Sequence, residues 1–345
     1  MRVTKMLAVV VAKTLTMKNT ILKSAVLFFG GLAVFLGACR EEVEMIPIPM
    51  TVQFEQNLSA YNIFQGDPGE LVPANDYTLL ELNSTLFSNY SEKQRLVKLP
   101  TGSQMTETGN GLPSFPDGTI LVKTFFYPID ERDETLGRQV VETRLLIKAE
   151  GQWNVGTYIW NDAQTEASLE LNGFDKQVEW INLQGASRTI DYHFPDQDEC
   201  AACHQQNAQV LPIGPALRNL NIEVTRDNFT INQLVHLQDN GLLTDFDVSQ
   251  IGQLPDYKDA SLSLSERGRA YMDMNCAHCH NPGGWSEAAS QRVDFRFETS
   301  LEDSRILNNV DEITRLVREG EMPYLGNTVV DDEGVDLIIQ YVNSL

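Results

Sequence analysis

Four cysteines and two histidines form two copies of one short motif, Cys-x-x-Cys-His. Its residues are Cys200, Cys203 and His204 in the first unit and Cys276, Cys279 and His280 in the second. Two thiols at this spacing reach the two vinyl groups on one edge of a porphyrin, and the next histidine lies beneath the ring as an axial ligand of iron. The sequence therefore predicts two covalently bound haem c groups.

A zinc site and a redox dithiol are the competing interpretations of these cysteines. Zinc sites usually join Cys-x-x-Cys pairs that lie about 12 to 20 residues apart. Here 72 residues separate Cys203 from Cys276, and each pair is followed by its own histidine. A thioredoxin-like dithiol would need a βαβ pattern, which the sequence does not show around either unit. The spacing favours haem.

The residues around the second unit resemble the small cytochrome c fold. Gly268 and Met272 precede Cys276 on the helix face where that fold crosses its first and last helices, and the stretch LIIQYVNSL supplies the last helix. The stretch REGEMPYLG is similar to the methionine loop of the fold. This resemblance implies that Met322 is the sixth ligand of the second iron and His280 the fifth. The alternative is a methionine that fills space in the core.

The first unit is less regular, and its sixth ligand stays open. The stretch LPIGPAL resembles an element of cytochromes c whose proline carbonyl accepts a hydrogen bond from the proximal histidine, which implies that Pro215 orients His204. A loop, not a helix, is expected before Cys200, and His278 is expected to face solvent. The candidates for the sixth ligand are His236 as first choice, then His193, Met105, Met272 or Met274, or no residue at all. His236 is equally well explained as a surface histidine.

The periodicity of the chain changes near Pro195. Period-two alternation before it predicts an antiparallel β domain, either a sandwich or a curved sheet. The predicted strands are 119–127, 140–149, 153–160, 166–171, 178–183 and 189–194, and the predicted helices are 229–243, 263–275, 310–319 and 332–345. Ser263 and Glu266 form a capping box for the second of these helices. The fold class is therefore α+β and multidomain, with a β-rich N-terminal domain, mostly helical haem-binding segments and a final cytochrome c-like domain.

The N-terminus predicts an exported lipoprotein. The stretch MKNTILKSAVLFFGGLAVFLGAC, with Met17 as an alternative start, has two lysines, an apolar run and small residues before a cysteine, which is typical of a secretory signal. Leu36 to Cys39 resemble the bacterial lipobox, which implies that residues 1–38 are removed, that Cys39 is lipidated and that residues 39–51 form a tether. An uncleaved membrane anchor is the alternative, although the apolar run is short for a membrane-spanning helix.

Net charge constrains the partners of the chain. The full sequence has a net charge of −22, and removal of residues 1–38 leaves 21 basic and 48 acidic residues, a net charge of −27. Such a surface repels nucleic acid and anionic lipid, so no nucleic-acid partner is expected. It favours encounter with basic redox proteins at low salt.

Residues 52–345 resemble a bacterial family of diheme c-type cytochromes that is largely uncharacterised. The stretches that carry the resemblance are FPDGTILVKTFFYP, ETRLLI, YIWNDAQTEA, ECAACH with LPIGPALRNLN, NQLVHL and NCAHCHNPGG. The resemblance implies a β-rich domain fused to haem-binding segments. Expected boundaries are 52–195 for the β-rich domain, 196–260 for the first haem segment and 261–345 for the second haem domain.

Three functions are compatible with these features. The favoured one is electron transfer between redox partner proteins, by a lipoprotein anchored at the periplasmic side of a membrane or at the cell surface. The alternative is a haem enzyme, peroxidase-like or acting on a small nitrogen compound, whose open first haem is fed by the second. In a third, the β domain binds a partner or a sugar through Trp153, Tyr158, Trp160 and Trp180, which pattern alone favours as packing residues.

Overall fold

The computed structural model describes residues 51–285, 293–323 and 325–345, and these residues belong to one compact unit. The predicted signal peptide, the lipidation site Cys39 and the tether up to residue 50 lie outside the described residues. Within the described ranges, no helix has both the length and the apolar character needed to cross a membrane.

A six-stranded antiparallel sheet forms the β-rich region, and its strands are neighbours in chain order. They are β1 (Thr78–Leu79), β2 (Glu92–Lys98), β3 (Ile120–Pro128), β4 (Arg138–Ala149), β5 (Gln152–Trp160) and β6 (Ala167–Glu170). Side chains alternate between the two faces because successive residues of a strand point in opposite directions. On β3, Val122 and Phe126 pack beneath the N-terminal segment with Phe54, whereas Leu121 and Phe125 lie on the other face. The predicted antiparallel β region is confirmed.

Six short strands form three further hairpins. They are β7 (Phe174–Ile181) with β8 (Ser187–Phe194), β9 (Gln205–Gln206) with β10 (Gln209–Val210), and β11 (Glu223–Arg226) with β12 (Phe229–Asn232). The β7–β8 hairpin packs Trp180 and Tyr192 against Tyr127 of the large sheet. The four aromatic residues considered above as a binding surface are buried in the core. Their exposed fractions are 5% for Trp153, 0% for Tyr158, 4% for Trp160 and 5% for Trp180. They stabilise the fold by packing.

Seven α-helices lie in the described part of the chain after residue 196. They are α1 (Gln197–His204), α2 (Leu217–Leu220), α3 (Gln233–Asp239), α4 (Leu264–Asn275), α5 (Leu301–Ser304), α6 (Val310–Arg318) and α7 (Asp332–Asn343). The capping box of Ser263 and Glu266 is present at the start of α4. The predicted helix 229–243 is too long at both ends, because residues 229–232 form β12 and α3 ends at Asp239. The side chain of Asn232 accepts hydrogen bonds from the amides of Leu234 and Val235 and so caps α3.

Helices α4 and α7 cross at close range in the C-terminal region. A Cβ atom at Gly268 would lie 2.7 Å from Cβ of Tyr341, so only glycine lets the two helices approach this closely. Met272 and Ile338 belong to the apolar cluster that the crossing buries. The helix crossing implied by the cytochrome c resemblance is present, and it positions the end of α4, where the second unit begins.

Candidate functional site

The first unit lies on a short helix that packs against the large sheet. Helix α1 starts at Gln197 because Asp196 and Glu199 form a capping box, so the expected loop before Cys200 is replaced by one turn of helix. The Cys200 thiol hydrogen-bonds to the side chain of Thr157 on β5, and its burial raises its pKa to about 11. The sheet therefore supports the first unit directly.

His204 is oriented by a backbone carbonyl of the following hairpin. Its Nδ1 donates a hydrogen bond to the carbonyl oxygen of Leu211 at 2.7 Å, and the Leu211 amide donates to the His204 carbonyl at 2.8 Å. The role predicted for Pro215 is therefore filled by Leu211, because β9 and β10 turn the chain back onto α1 before Pro215 is reached. Burial lowers the pKa of His204 to about 3, and the charges of Lys123 and Arg144 add to this effect. The ring is neutral, with Nε2 as the nitrogen suited to binding iron.

The second unit continues from the end of α4. The amide of His280 donates to the Cys276 carbonyl at 2.9 Å, and the His280 ring packs edge-on against Phe295 at 5.3 Å between ring centroids. Burial raises the pKa of the Cys276 thiol to about 12. A Cβ atom at Gly284 would collide with the Cys279 carbonyl, so the turn after the unit requires glycine. These contacts hold His280 in an apolar setting.

The two units meet in the fold although they are far apart in sequence. The thiols of Cys203 and Cys279 and a ring nitrogen of His278 all lie within 4.8 Å of one another. A hydrogen bond between the two thiols lowers the pKa of Cys203 and raises that of Cys279. The expectation that His278 faces solvent is wrong: its ring is half-buried and hydrogen-bonds to Cys203 because the first unit covers it.

Two further contacts join the segments that carry the units. The amide of Asn207, in the turn between β9 and β10, donates to the carbonyl of Gly283 at 2.6 Å. Arg218 of α2 forms ion pairs with Asp273 of α4 at 2.8 Å and with Glu298 at 2.7 Å. The side chains of Arg218 and Asp273 are largely buried, so these pairs fix the first haem segment on α4.

The structure removes His193 from the candidates for the sixth ligand of the first unit. Its Nδ1 lies 2.7 Å from an oxygen of Asp175 and its Nε2 lies 2.8 Å from an oxygen of Glu199. Both ring nitrogens are therefore engaged, and none remains for iron. Although burial opposes protonation, the hydrogen bonds to the two carboxylates outweigh it and raise the pKa of His193.

The other sixth-ligand candidates occupy varied positions. His236 is half-buried on α3, and its Nδ1 lies 3.3 Å from the side-chain amide of Asn240 at the exposed end of the helix. Met105, Met272 and Met274 are buried in the apolar clusters, with Met274 accepting a hydrogen bond from Asn219 at 3.4 Å. Met322 is half-buried just beyond α6, and its amide donates to the Leu316 carbonyl. Ligation by His236 or Met322 stays a prediction.

The donor set of the paired units fits haem better than zinc. Among the described residues, Cys203, His278 and Cys279 form a group of three that could hold a metal ion, whereas a structural zinc site requires four ligands. A zinc site there would also leave Cys200, His204 and the rest of the motif without a role. Haem attachment uses both thiols and the terminal histidine of each unit, and His204 already has the orientation that iron binding requires.

Comparison with known proteins supports the cytochrome c resemblance of the C-terminal region. Residues 264–342 match the model of the family described as "Cytochrome C oxidase, cbb3-type, subunit III". No curated protein and no solved structure matches the chain. The chain thus has a C-terminal cytochrome c-like domain, which implies covalently bound haem c and an electron-transfer haem protein.

The sequence interpretation missed a group of basic residues beside the first unit. Lys93, Arg95, Lys123 and Arg144 lie on one face of the large sheet, and the charges of Lys123 and Arg144 act on His204. One sequence signal was available: Lys123 interrupts the apolar run ILVKTFFY in a chain with a net charge of −22. We name these four residues the basic row.

Proposed function

We propose that this chain is an exported, lipid-anchored diheme cytochrome c that transfers electrons between redox partner proteins. The observation that carries the proposal is the contact between the two Cys-x-x-Cys-His units, with the Cys203 and Cys279 sulfurs within 4.8 Å. Each sulfur would be one bond away from a substituent of its macrocycle. Haems attached to both units would be held through neighbouring sulfurs, and close approach is what efficient electron exchange between two centres requires.

The residues of each unit have distinct tasks in this proposal. Each cysteine thiol would add across one vinyl group: the S–H bond and the C=C π bond break, an S–C and a C–H bond form, and no external oxidant or reductant is consumed. His204 and His280 bind iron through a ring nitrogen, and Leu211 keeps His204 in the required tautomer. Met322 or another side chain completes the coordination. Bound haem c supplies an iron that gains and loses one electron.

Mass spectrometry and circular dichroism of the full mature protein test the proposal. We expect two haem adducts on the intact chain, and one adduct each in the variants C200S/C203S and C276S/C279S. Because the attachment cysteines of the two units are adjacent, haems on both units should give the wild-type Soret band a two-signed circular dichroism signal that both variants lose. Zinc in place of iron, fewer than two adducts, or a wild-type spectrum equal to the sum of the two variants would contradict the proposal.

The location and partners form a separate part of the proposal. Cys39 would carry the lipid, and the acidic mature chain would attract basic redox proteins. We expect Cys39→Ala to release the protein from the membrane fraction while both haem adducts remain. Electron transfer to a basic partner should slow as ionic strength rises, and an unchanged rate would contradict electrostatic attraction.

An open first haem is the second candidate function. It is supported by the engagement of both His193 nitrogens, which leaves His236 or a buried methionine to fill the sixth position. Such a protein would be an enzyme acting on peroxide or a small nitrogen compound. Binding of carbon monoxide or cyanide to one haem at neutral pH would favour this candidate, and a protein that binds neither would exclude it.

A further inference from the structure

The basic row crosses the middle of the large sheet. Arg95, Lys123 and Arg144 are directly opposite one another on β2, β3 and β4, and Lys93 lies on the same face two residues before Arg95. Neighbouring strands are about 4.8 Å apart, so the line from Arg95 to Arg144 is about 10 Å long. Like charges directly opposite one another destabilise a sheet unless something compensates them.

The basic row interrupts an otherwise apolar sheet face. Towards one end of β3, Leu121 packs in the cluster that contains Leu217 of α2, and towards the other end Tyr127 packs against the β7–β8 hairpin. All four basic side chains are half-buried. They are therefore not an ordinary solvated surface, and a position between two apolar clusters is costly for unpaired charge.

The protein supplies little negative charge to this face. Glu142 is fully buried, pairs with Arg144 at 2.5 Å and accepts a hydrogen bond from Tyr192 at 2.7 Å. Burial and the neighbouring cations lower the pKa of Lys93 to about 7 and hold that of Lys123 well below its ordinary value. Burial lowers the pKa of Arg95 to about 10. Four basic side chains thus share this face with one fully buried carboxylate, and Glu92 and Asp331 add negative charge near Lys93.

The first unit lies against the same face. The Cys200 thiol hydrogen-bonds to Thr157, which is the cross-strand neighbour of Arg144. The charge of Arg144 acts on Cys200 and on His204, and that of Lys123 acts on His204. A group held by this unit would therefore lie within reach of the basic row.

We propose that the basic row is an oxyanion receptor beside the first haem-attachment unit and that carboxylates occupy it. This inference rests on the proposed function. The favoured source is the haem of the first unit, because a haem held by Cys200, Cys203 and His204 would bring two propionate carboxylates and the basic row extends about 10 Å across the sheet from Arg144, whose charge acts on Cys200, to Arg95. A small diffusible oxyanion has the same chemistry and is the other source. Charge-assisted hydrogen bonds from arginine and lysine are the usual means of binding either one.

Vibrational spectroscopy of the holoprotein tests the receptor. Resonance Raman bands of the haem carboxylates should shift towards the position of free carboxylate in Arg95→Met and in Lys123→Met. Arg95→Lys should restore part of the shift because it retains the charge. The matched control is Lys98→Met: Lys98 lies on β2 but on the opposite face, where it pairs with Asp76 at 2.6 Å.

Titration of the same proteins with acetate and nitrate identifies the source of the oxyanion. If propionates occupy the row, the wild-type Soret band should not respond to either anion. If the occupant is diffusible, the response should be saturable, and each substitution in the row should weaken the affinity about tenfold or more. The receptor is overturned if neither the carboxylate bands nor the anion response differs between these variants and Lys98→Met. An intact mass with fewer than two haem adducts would instead contradict the proposed function.

Discussion

The two Cys-x-x-Cys-His units share a motif but are held by different structures. The second unit follows α4, whose crossing with α7 buries an apolar cluster, and its histidine packs on Phe295. The first unit is itself part of α1 and lies on a β-sheet near Lys123 and Arg144 of the basic row. The motif therefore needs only a local turn, while the surrounding structure sets the electrostatic environment.

This difference has a consequence for redox behaviour. Ferric haem carries one more positive charge than ferrous haem, so cations nearby favour the ferrous form, whereas carboxylates bound to those cations offset the effect. The first unit lies near Lys123, Arg144 and the Glu142 carboxylate, whereas the surroundings of the second unit are mainly apolar. For the diheme protein proposed above, we expect two distinct reduction potentials, and that of the first haem should be more sensitive to substitutions in the basic row.

Breaking the buried ion pair between Glu142 and Arg144, on the sheet that supports the first unit, should have the largest effect on stability. Glu142→Gln leaves Arg144 without its carboxylate partner and keeps the shape of the side chain. Removal of one member of a buried pair costs about 3–5 kcal/mol, which chemical denaturation would measure. The control is Asp162→Asn, which breaks an exposed pair with Lys176 and should cost less than about 1 kcal/mol. Equal losses would show that Glu142 is not effectively buried.

The ion pairs of Arg218 test whether the segment that carries the first unit and the helix that precedes the second unit stabilise each other. Arg218→Met leaves the buried Asp273 carboxylate unpaired and should cost about 2 kcal/mol. Hydrogen exchange should increase in α2 and at the end of α4 together, because the pair joins them. Arg218→Lys should recover only part of the loss, since lysine lacks the planar fork that binds a carboxylate through two bonds. Increased exchange in only one of the two helices would contradict the coupling.

Local sequence patterns predicted the helices around the second unit well. The period of the apolar residues and the capping box fixed α4, and α7 begins at Asp332 as expected. The buried face of α7 includes Leu337, Ile338, Tyr341 and Val342, whereas Val335 and Ile339 are half-buried. A helix and its caps depend on neighbours within four residues, so one sequence suffices to predict them.

The structure around the first unit depends on contacts between residues that are far apart in sequence, and no local pattern predicts such contacts. Leu211 takes the place of Pro215 as the acceptor of the His204 hydrogen bond, because a two-residue turn between β9 and β10 brings Leu211 back to His204. The sequence pattern did not predict this hairpin. The line from Arg95 to Arg144 exists only once three strands are paired in register. The contact between Cys203 and Cys279 likewise requires the packing of the whole chain.

Gly268 tests the helix crossing of the second region. Gly268→Ala places a methyl group against Tyr341, and the resulting overpacking outweighs the better helix propensity of alanine. We expect a net loss of about 1–2 kcal/mol in the free energy of unfolding. Gly111→Ala is the control, because no atom lies within 4 Å of a Cβ atom there. A stabilised Gly268→Ala variant would show that the helices separate easily.

The smallest expected effect concerns His193, which ties the start of α1 to the β7–β8 hairpin. Its ring joins Asp175 on β7 to Glu199, the residue that completes the α1 capping box. Because folding raises the pKa of His193 above 6.5, the folded state binds the proton more tightly than the unfolded state. The stabilisation is fully present below pH 6.5 and disappears as the pH rises through the folded-state pKa. His193→Gln should therefore lose up to about 1 kcal/mol in mild acid and almost nothing in mild alkali.

Unfolding measured across this pH range separates charge from packing. Gln retains hydrogen-bonding groups but cannot become positively charged, so a loss of stability that is equal in acid and alkali would assign His193 a packing role. Asp175→Asn removes one of the two carboxylates and should reproduce part of the acid-side loss. The remaining part belongs to Glu199, whose link to His193 holds the helix that carries the first unit. The sheet-bound unit should thus loosen slightly as the pH rises, while the second unit, whose helix is held by apolar packing, should not.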